Sequence, residues 1–119
     1  MKKKELISKE KLTVAANGKS VGEVIGDKSG KYDITGVYIL YDENDDIKDI
    51  GSAYSRTIRK RLADHLGSKA EEKHEPWVTQ KGGLDYIREL KVCAIEHIDL
   101  EQKLLGIANI QPKLYEGRK

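Results

Sequence analysis

The sequence has no phenylalanine, one tryptophan and one cysteine. Without phenylalanine, a core has to be built from Ile, Leu and Val. The six tyrosines then divide between packing and roles for their hydroxyls. A single cysteine, Cys93, excludes an intramolecular disulfide and a cysteine-based zinc cluster, which makes the cytoplasm the expected location. No apolar run approaches the roughly 20 residues of a membrane-spanning helix, so no membrane partner is expected. The start, Met-Lys-Lys-Lys-Glu-Leu-Ile, is basic but lacks an apolar stretch behind the lysines, and is not expected to act as a secretory signal. A strong charge of either sign is also missing. The 22 Lys and Arg against 20 Asp and Glu leave +2, which neither demands nor excludes nucleic acid.

What is present fits one domain: 119 residues, enough for a modest core. Residues 1–35 are polar and glycine-containing and read as an N-terminal extension, a β-hairpin or an arm. Thr13-Val14-Ala15 and Val21 to Ile25 are candidate strands around the turn pair Asn17-Gly18. From Gly36 the pattern sharpens. Val37 to Tyr41 is dense in β-branched and aromatic residues and predicts a strand. Asp42 to Asp46 is a polar turn, and Ile47 to Ile50 alternates as the returning strand. Ser52 to Leu66 predicts a helix, with Ile58, Leu62 and Leu66 on one stripe and Gly67 as its stop. Pro76-Trp77 opens a turn of helix, and Leu84 to Leu90 is a short helix or a lead into a strand. Val92 to Ile95 predicts a buried strand. A last helix follows Asp99 and stops at Pro112. The expected class is α+β, a small three-stranded, mainly antiparallel sheet flanked by helices over residues 36–119.

Several familiar patterns break. Gly18-Lys19-Ser20 lacks the first glycine of a phosphate loop, since Thr13 stands there. Asp42 to Asp46 lacks the glycine and the glutamate of a calcium loop, with Ile47 and Ala53 in those places. His74-Glu75 is followed by Val78, not by the second histidine of a zinc helix.

One ordered set holds: Gly36-Val37-Tyr38, Asp49-Ile50-Gly51, Arg61 to His65, Glu101 to Leu105, and Pro112. This set resembles the GIY-YIG nuclease family over residues 36–115. The resemblance implies a DNA endonuclease that hydrolyses phosphodiester bonds with Mg²⁺ or Mn²⁺. It implies that Tyr38 matches the first tyrosine, Arg61 the catalytic arginine, His65 the histidine one turn later and Glu101 the metal-binding glutamate. Asp49 stands where the second tyrosine is usual, and Tyr115 where an asparagine often follows Pro-x-x.

The residue types suit that chemistry. Glu101 is a hard oxygen ligand for an ion that keeps most of its waters. Arg61 offers a two-pronged, always-charged fork for a phosphate. Tyr38 is a candidate general base. His65 lies four residues after Arg61, on the same helix face, placed to orient Tyr38 or to donate to the phosphate. Asp49 is either an added metal ligand, a replacement base, or an ordinary outward strand residue. Arg56, Arg59, Lys60 and Arg61 put four positive charges within six residues, as a DNA-backbone contact requires. Tyr41 and Tyr54 are candidate base-stacking residues. Singly, each side chain also fits a structural role, so the rival function is a catalytically silent DNA- or protein-binding module of the same fold.

Overall fold

The computed structural model of the chain describes residues 1–66, 83–97 and 101–108. In chain order the elements are α1 (Lys3–Lys9), β1 (Ala16–Ser20), α2 (Val21–Ile25), β2 (Gly36–Tyr41), β3 (Ile47–Ala53), α3 (Ile58–Leu66), α4 (Leu84–Glu89), β4 (Lys91–Ile95) and α5 (Glu101–Ala108). The class is α+β. The sheet is antiparallel throughout and has four strands, in the order β1-β4-β2-β3, rather than the expected three. No described helix is long and apolar enough to cross a membrane. The expectations placed at Gly67, Pro76-Trp77, Asp99, Pro112 and Tyr115 lie outside the described residues.

β2 is buried at every position because it is central and covered on both faces. That is why it reads as an unbroken apolar run and not as an alternation. Tyr38 and Leu40 point to one face, where Val21 and Val24 of α2, Ile58 and Leu62 of α3 and Ile87 of α4 complete a core. Val37 and Ile39 point to the other face, against Leu6 of α1 and Leu104 and Ala108 of α5. Cys93 of β4 is buried in this second core, where loss of solvation pushes its thiol up to about 11.

Residues 1–35 are not an appended hairpin or arm; they supply one strand and two helices to the domain. Val21–Ile25 is a helix because Ser20 and Glu23 form a reciprocal cap. The Ser20 hydroxyl accepts from Glu23 N at 3.2 Å, and the Glu23 carboxylate accepts from Ser20 N at 3.0 Å. Asn17-Gly18 does not turn the chain. Gly18, at φ 107°, instead marks a bulge in β1 between the pairs Asn17–Cys93 and Ser20–Lys91. The lysine-rich start is pinned to the β2–β3 turn. Lys3 N donates to Asp45 O at 2.7 Å, Lys4 N to the Asp45 carboxylate at 2.8 Å, and Ile47 N to Met1 O at 3.0 Å. Asp45 thereby caps α1 from a distance, because Lys2 provides no side-chain cap.

Gly36 opens β2 at φ 147°, and a Cβ there would stand 2.1 Å from the Ile95 carbonyl oxygen. Two backbones approach so closely at this point that only glycine fits. Gly36→Ala is expected to destabilise the fold by about 2 kcal/mol or more, read from the midpoint of urea unfolding at constant slope. A midpoint equal to wild type would show that the close approach relaxes freely.

Candidate functional site

Tyr38 stands opposite Gly51 on one side and Ala94 on the other. Two small neighbours leave room on that face for its ring. Leu40 stands opposite Asp49, so Asp49 and Tyr38 share a face. Asp49 is 1% exposed, which removes the outward-strand alternative for it. Tyr38 is fully buried, and its hydroxyl oxygen, like Asp49 Oδ1, is sealed from solvent.

The helix carrying Arg61 and His65 starts at Ile58, not at Ser52, because β3 continues through Ala53 to pair with Gly36. Ile58 and Leu62 anchor α3 on the Tyr38 face of the sheet. His65 is three residues past Leu62, on the same stripe, and is buried at 5% exposure. Burial, with the Arg61 charge beside it, lowers its pKa to about 4, so it is neutral at physiological pH. A neutral His65 is a proton acceptor or a neutral donor, not a cation for phosphate. Arg61 flanks the stripe and is half-buried. Its Nε is sealed from solvent and has no hydrogen-bond partner among the described residues. An unpaired buried donor of this kind costs on the order of 1–3 kcal/mol, more for a charged group, and calls for an explanation.

The first turn of α3 is fully engaged by the chain before β2. Ile58 N donates to Ile34 O at 2.8 Å, Arg59 N to Tyr32 O at 3.0 Å, and Lys60 N to the Thr57 hydroxyl at 3.2 Å. The backbone donors of this helix end are therefore unavailable to an anion. Arg59 is taken too: its Nε donates to the Asp33 carboxylate at 2.6 Å. Of the four basic residues singled out in the sequence, Arg59 thus serves the fold. Arg56 is exposed and pairs with Asp64 at 2.9 Å. Lys60 is exposed and, among the described residues, has no acidic partner.

Arg56, Lys60 and Arg61 meet two adjoining clefts at the end of the sheet where β3 stops. One, of about 210 Å³, is lined by Ser52, Ala53, Tyr54, Ser55, Arg56 and Arg61. The other, of about 530 Å³, is lined by Thr35, Ser55, Arg56, Thr57 and Lys60. Among the described residues, neither lining includes a carboxylate. The hydroxyl-bearing residues Ser52, Ser55, Thr35 and Thr57 escape a reading of the sequence because they carry no pattern beyond following a strand. Tyr41 is not a stacking residue: it is 5% exposed, its ring lies 4.7 Å from the Lys3 ammonium, and its hydroxyl donates to Asn17 Oδ1.

β4 ends with Ile95 beside Val37, and β2 begins with Gly36 beside Ala53. α5, opening with Glu101, follows β4 from that same end of the sheet. Its Leu104 and Ala108 pack on the face opposite to Tyr38 and Asp49. The Glu101 side chain lies outside the described part. Among the described residues no cluster of three His, Cys, Asp or Glu side chains is close enough to hold a metal. Their buried carboxylates are Asp49 and Asp27, and Asp27 is engaged by Lys19 and by the Ser29 backbone.

The neutral state of His65 sets a pH dependence. Above the ordinary histidine pKa of about 6.5 neither the folded nor the unfolded chain is protonated there, and stability is complete. As pH falls toward 4, the unfolded chain takes up the proton while the folded one does not, so stability drops by up to about 3 kcal/mol. His65→Gln is expected to lack this part of the slope, seen by comparing urea unfolding of the two proteins between pH 7 and pH 4. Asp27 does not interfere. Its carboxylate is held down to about 2 by hydrogen bonds from Ser29 and by Lys19, so its contribution is lost mainly below pH 4 and is common to both proteins. Parallel pH profiles for the two proteins would show that His65 titrates normally.

No family model, curated protein or solved structure matches the chain, so a functional reading rests on its residues and their geometry.

Proposed function

We propose that the chain is a metal-dependent DNA endonuclease that hydrolyses phosphodiester bonds at the clefts beyond β3, as the resemblance to the GIY-YIG family implies. The observation that carries this reading is Arg61. Arg61 lines the cleft beyond β3, and among the described residues no carboxylate lines that cleft or pairs with its guanidinium. A phosphate oxygen is the acceptor such a fork suits best. Arg56 and Lys60 extend the positive surface along the adjoining cleft. Glu101 is the proposed ligand of Mg²⁺ or Mn²⁺, since one carboxylate suffices for an ion that stays largely hydrated. When bound, the ion supplies charge neutralisation at the phosphate. Tyr38 is the proposed general base. His65, neutral and on the same face, is the proposed positioning residue for it. Asp49 is assigned to this buried polar group in place of the second tyrosine, not to the metal.

A second reading, the catalytically silent DNA- or protein-binding module, is favoured by one observation. A general base must reach the water it deprotonates, and the Tyr38 hydroxyl is sealed from solvent.

Nicking of supercoiled plasmid in Mg²⁺ and Mn²⁺ separates the two. Arg61→Ala and Glu101→Ala are each expected to abolish nicking, with thermal melts no lower than wild type. Without metal, Arg61→Ala should weaken DNA binding and flatten its salt slope by about one unit, whereas Glu101→Ala should hold or tighten it. Intact binding with no nicking in any divalent ion would select the silent module. Absence of DNA binding would remove the endonuclease and leave only the protein-binding form of the silent module. Asp64→Asn offers an independent check. It frees Arg56 from its 2.9 Å partner and removes a negative charge from the rim, so metal-free binding should tighten a few-fold. Unchanged or weaker binding would show that Arg56 does not face the DNA.

A further inference from the structure

We propose that the smaller cleft is a base-stacking subsite: the ring of Tyr54 takes the face of one unpaired DNA base while Arg56 and Arg61 hold the neighbouring phosphates. DNA containing unpaired nucleotides, not continuous duplex, is then the preferred ligand. The proposal rests on the DNA-binding reading given above and adds the class of DNA to it.

Three observations carry it. The first is exposure. Tyr32, Tyr38 and Tyr41 are buried at 2%, 0% and 5%, whereas Tyr54 is 49% exposed, the most exposed large apolar side chain among the described residues. It opens the bend that follows Ala53, and Ala53 is paired to Gly36, so the chain is anchored to the sheet one residue before the ring. A rigid, amphipathic ring on a fixed base gives contact area at low entropic cost.

The second is surroundings. Tyr54 shares its cleft with Arg56, Arg61 and the hydroxyls of Ser52 and Ser55. Cations beside an aromatic face form the pairing that non-specific single-strand binders use, with charge tracking the backbone and the ring stacking the base. Serine hydroxyls both donate and accept, so they accommodate more than one base edge. The adjoining cleft shares Ser55 and Arg56 and continues past Thr35, Thr57 and Lys60, which provides a path for the next stretch of strand.

The third is size. At about 210 Å³ the Tyr54 cleft falls below the roughly 300–1,000 Å³ of a pocket for a drug-sized ligand. It has room for one ring system. In a duplex the base faces are stacked on each other, and only their edges reach the grooves. The Tyr54 ring therefore meets a base face where a base is unpaired, and not in the interior of a duplex.

The test measures binding in EDTA, where no cleavage intervenes, to a fluorescent oligo-dT strand and to a blunt duplex of equal length. Wild type is expected to prefer the strand. Tyr54→Ala should lose strand affinity by roughly 5- to 150-fold, the range for one stacked base, while duplex affinity moves less than twofold. Tyr54→Phe should bind as wild type. Tyr54→Leu, which keeps apolar bulk without a π face, should behave as Tyr54→Ala and decides the matter if the alanine variant melts early. Strand affinity unchanged in Tyr54→Ala, or lost equally for strand and duplex, overturns the subsite. If Arg61→Ala weakens both ligands while Tyr54→Ala is silent, the subsite is gone and the DNA-binding reading stands. If wild type binds neither strand nor duplex, both fall. An oligo-rU strand bound tenfold tighter than oligo-dT overturns the assignment to DNA.

Discussion

The surface chemistry of this domain depends on how residues 32–34 dock against the start of α3. Two backbone carbonyls, of Tyr32 and Ile34, close off the N–H groups of Arg59 and Ile58, and Asp33 holds both the Arg59 guanidinium and, at 3.5 Å, the Thr57 hydroxyl. This fixes where the helix begins and spends its positive end inside the protein. An anion arriving at that end meets side chains instead of the helix terminus. The same docking divides the basic run into two classes. Arg59 becomes a tie between segments 26 residues apart, while Arg56, Lys60 and Arg61 remain at the clefts. Tyr32, carried by the docked segment, is also part of the core beneath α3, so surface and interior are set by one contact.

Much of the sheet could be read from the chain because its central strand is buried on both faces. Five consecutive apolar residues after Gly36, a polar turn and a returning alternation leave few other arrangements. The first 35 residues were harder. Asn17-Gly18 signals a hairpin, yet the same left-handed glycine serves a bulge equally well, and only the presence of β4 as a partner decides between them. Ser20-Val-Gly-Glu23 carries a helix-start signature that competes with the strand preference of the β-branched Val21, Val24 and Ile25. At the site, order along the chain brought out Tyr38, Asp49, Arg61 and His65, and register places Tyr38 and Asp49 on one face under α3. Their depth was not readable, because burial of β2 and β3 depends on what covers them. The loss of Arg59 to Asp33 was equally hidden, since no local rule links residues so far apart.

A core face that holds Tyr38, Asp49 and His65 sets polar groups among largely aliphatic packing. Each such group gives up hydration on folding, and interiors tolerate that only where the polar groups are mutually arranged. The neutral histidine beside Arg61 fits this economy, because two cations in a sheltered place would repel. The contrast between this sealed polar layer and the open cationic clefts next to it separates two tasks. Holding a polyanion needs only the outer layer, whereas proton transfer needs the inner one to meet water.

The lone thiol of Cys93 has a practical consequence. It is enclosed in the core between β4 and the α1–α5 side, and its ionisation is displaced to about 11. Reactivity follows the thiolate, so the folded protein behaves toward maleimides and disulfide reagents as though it had no cysteine. A cysteine introduced on the cleft rim, at Ser55 for example, would be the single labelling position of the native state. A dye or spin label there reports on the cleft without any need to delete the native residue from the core.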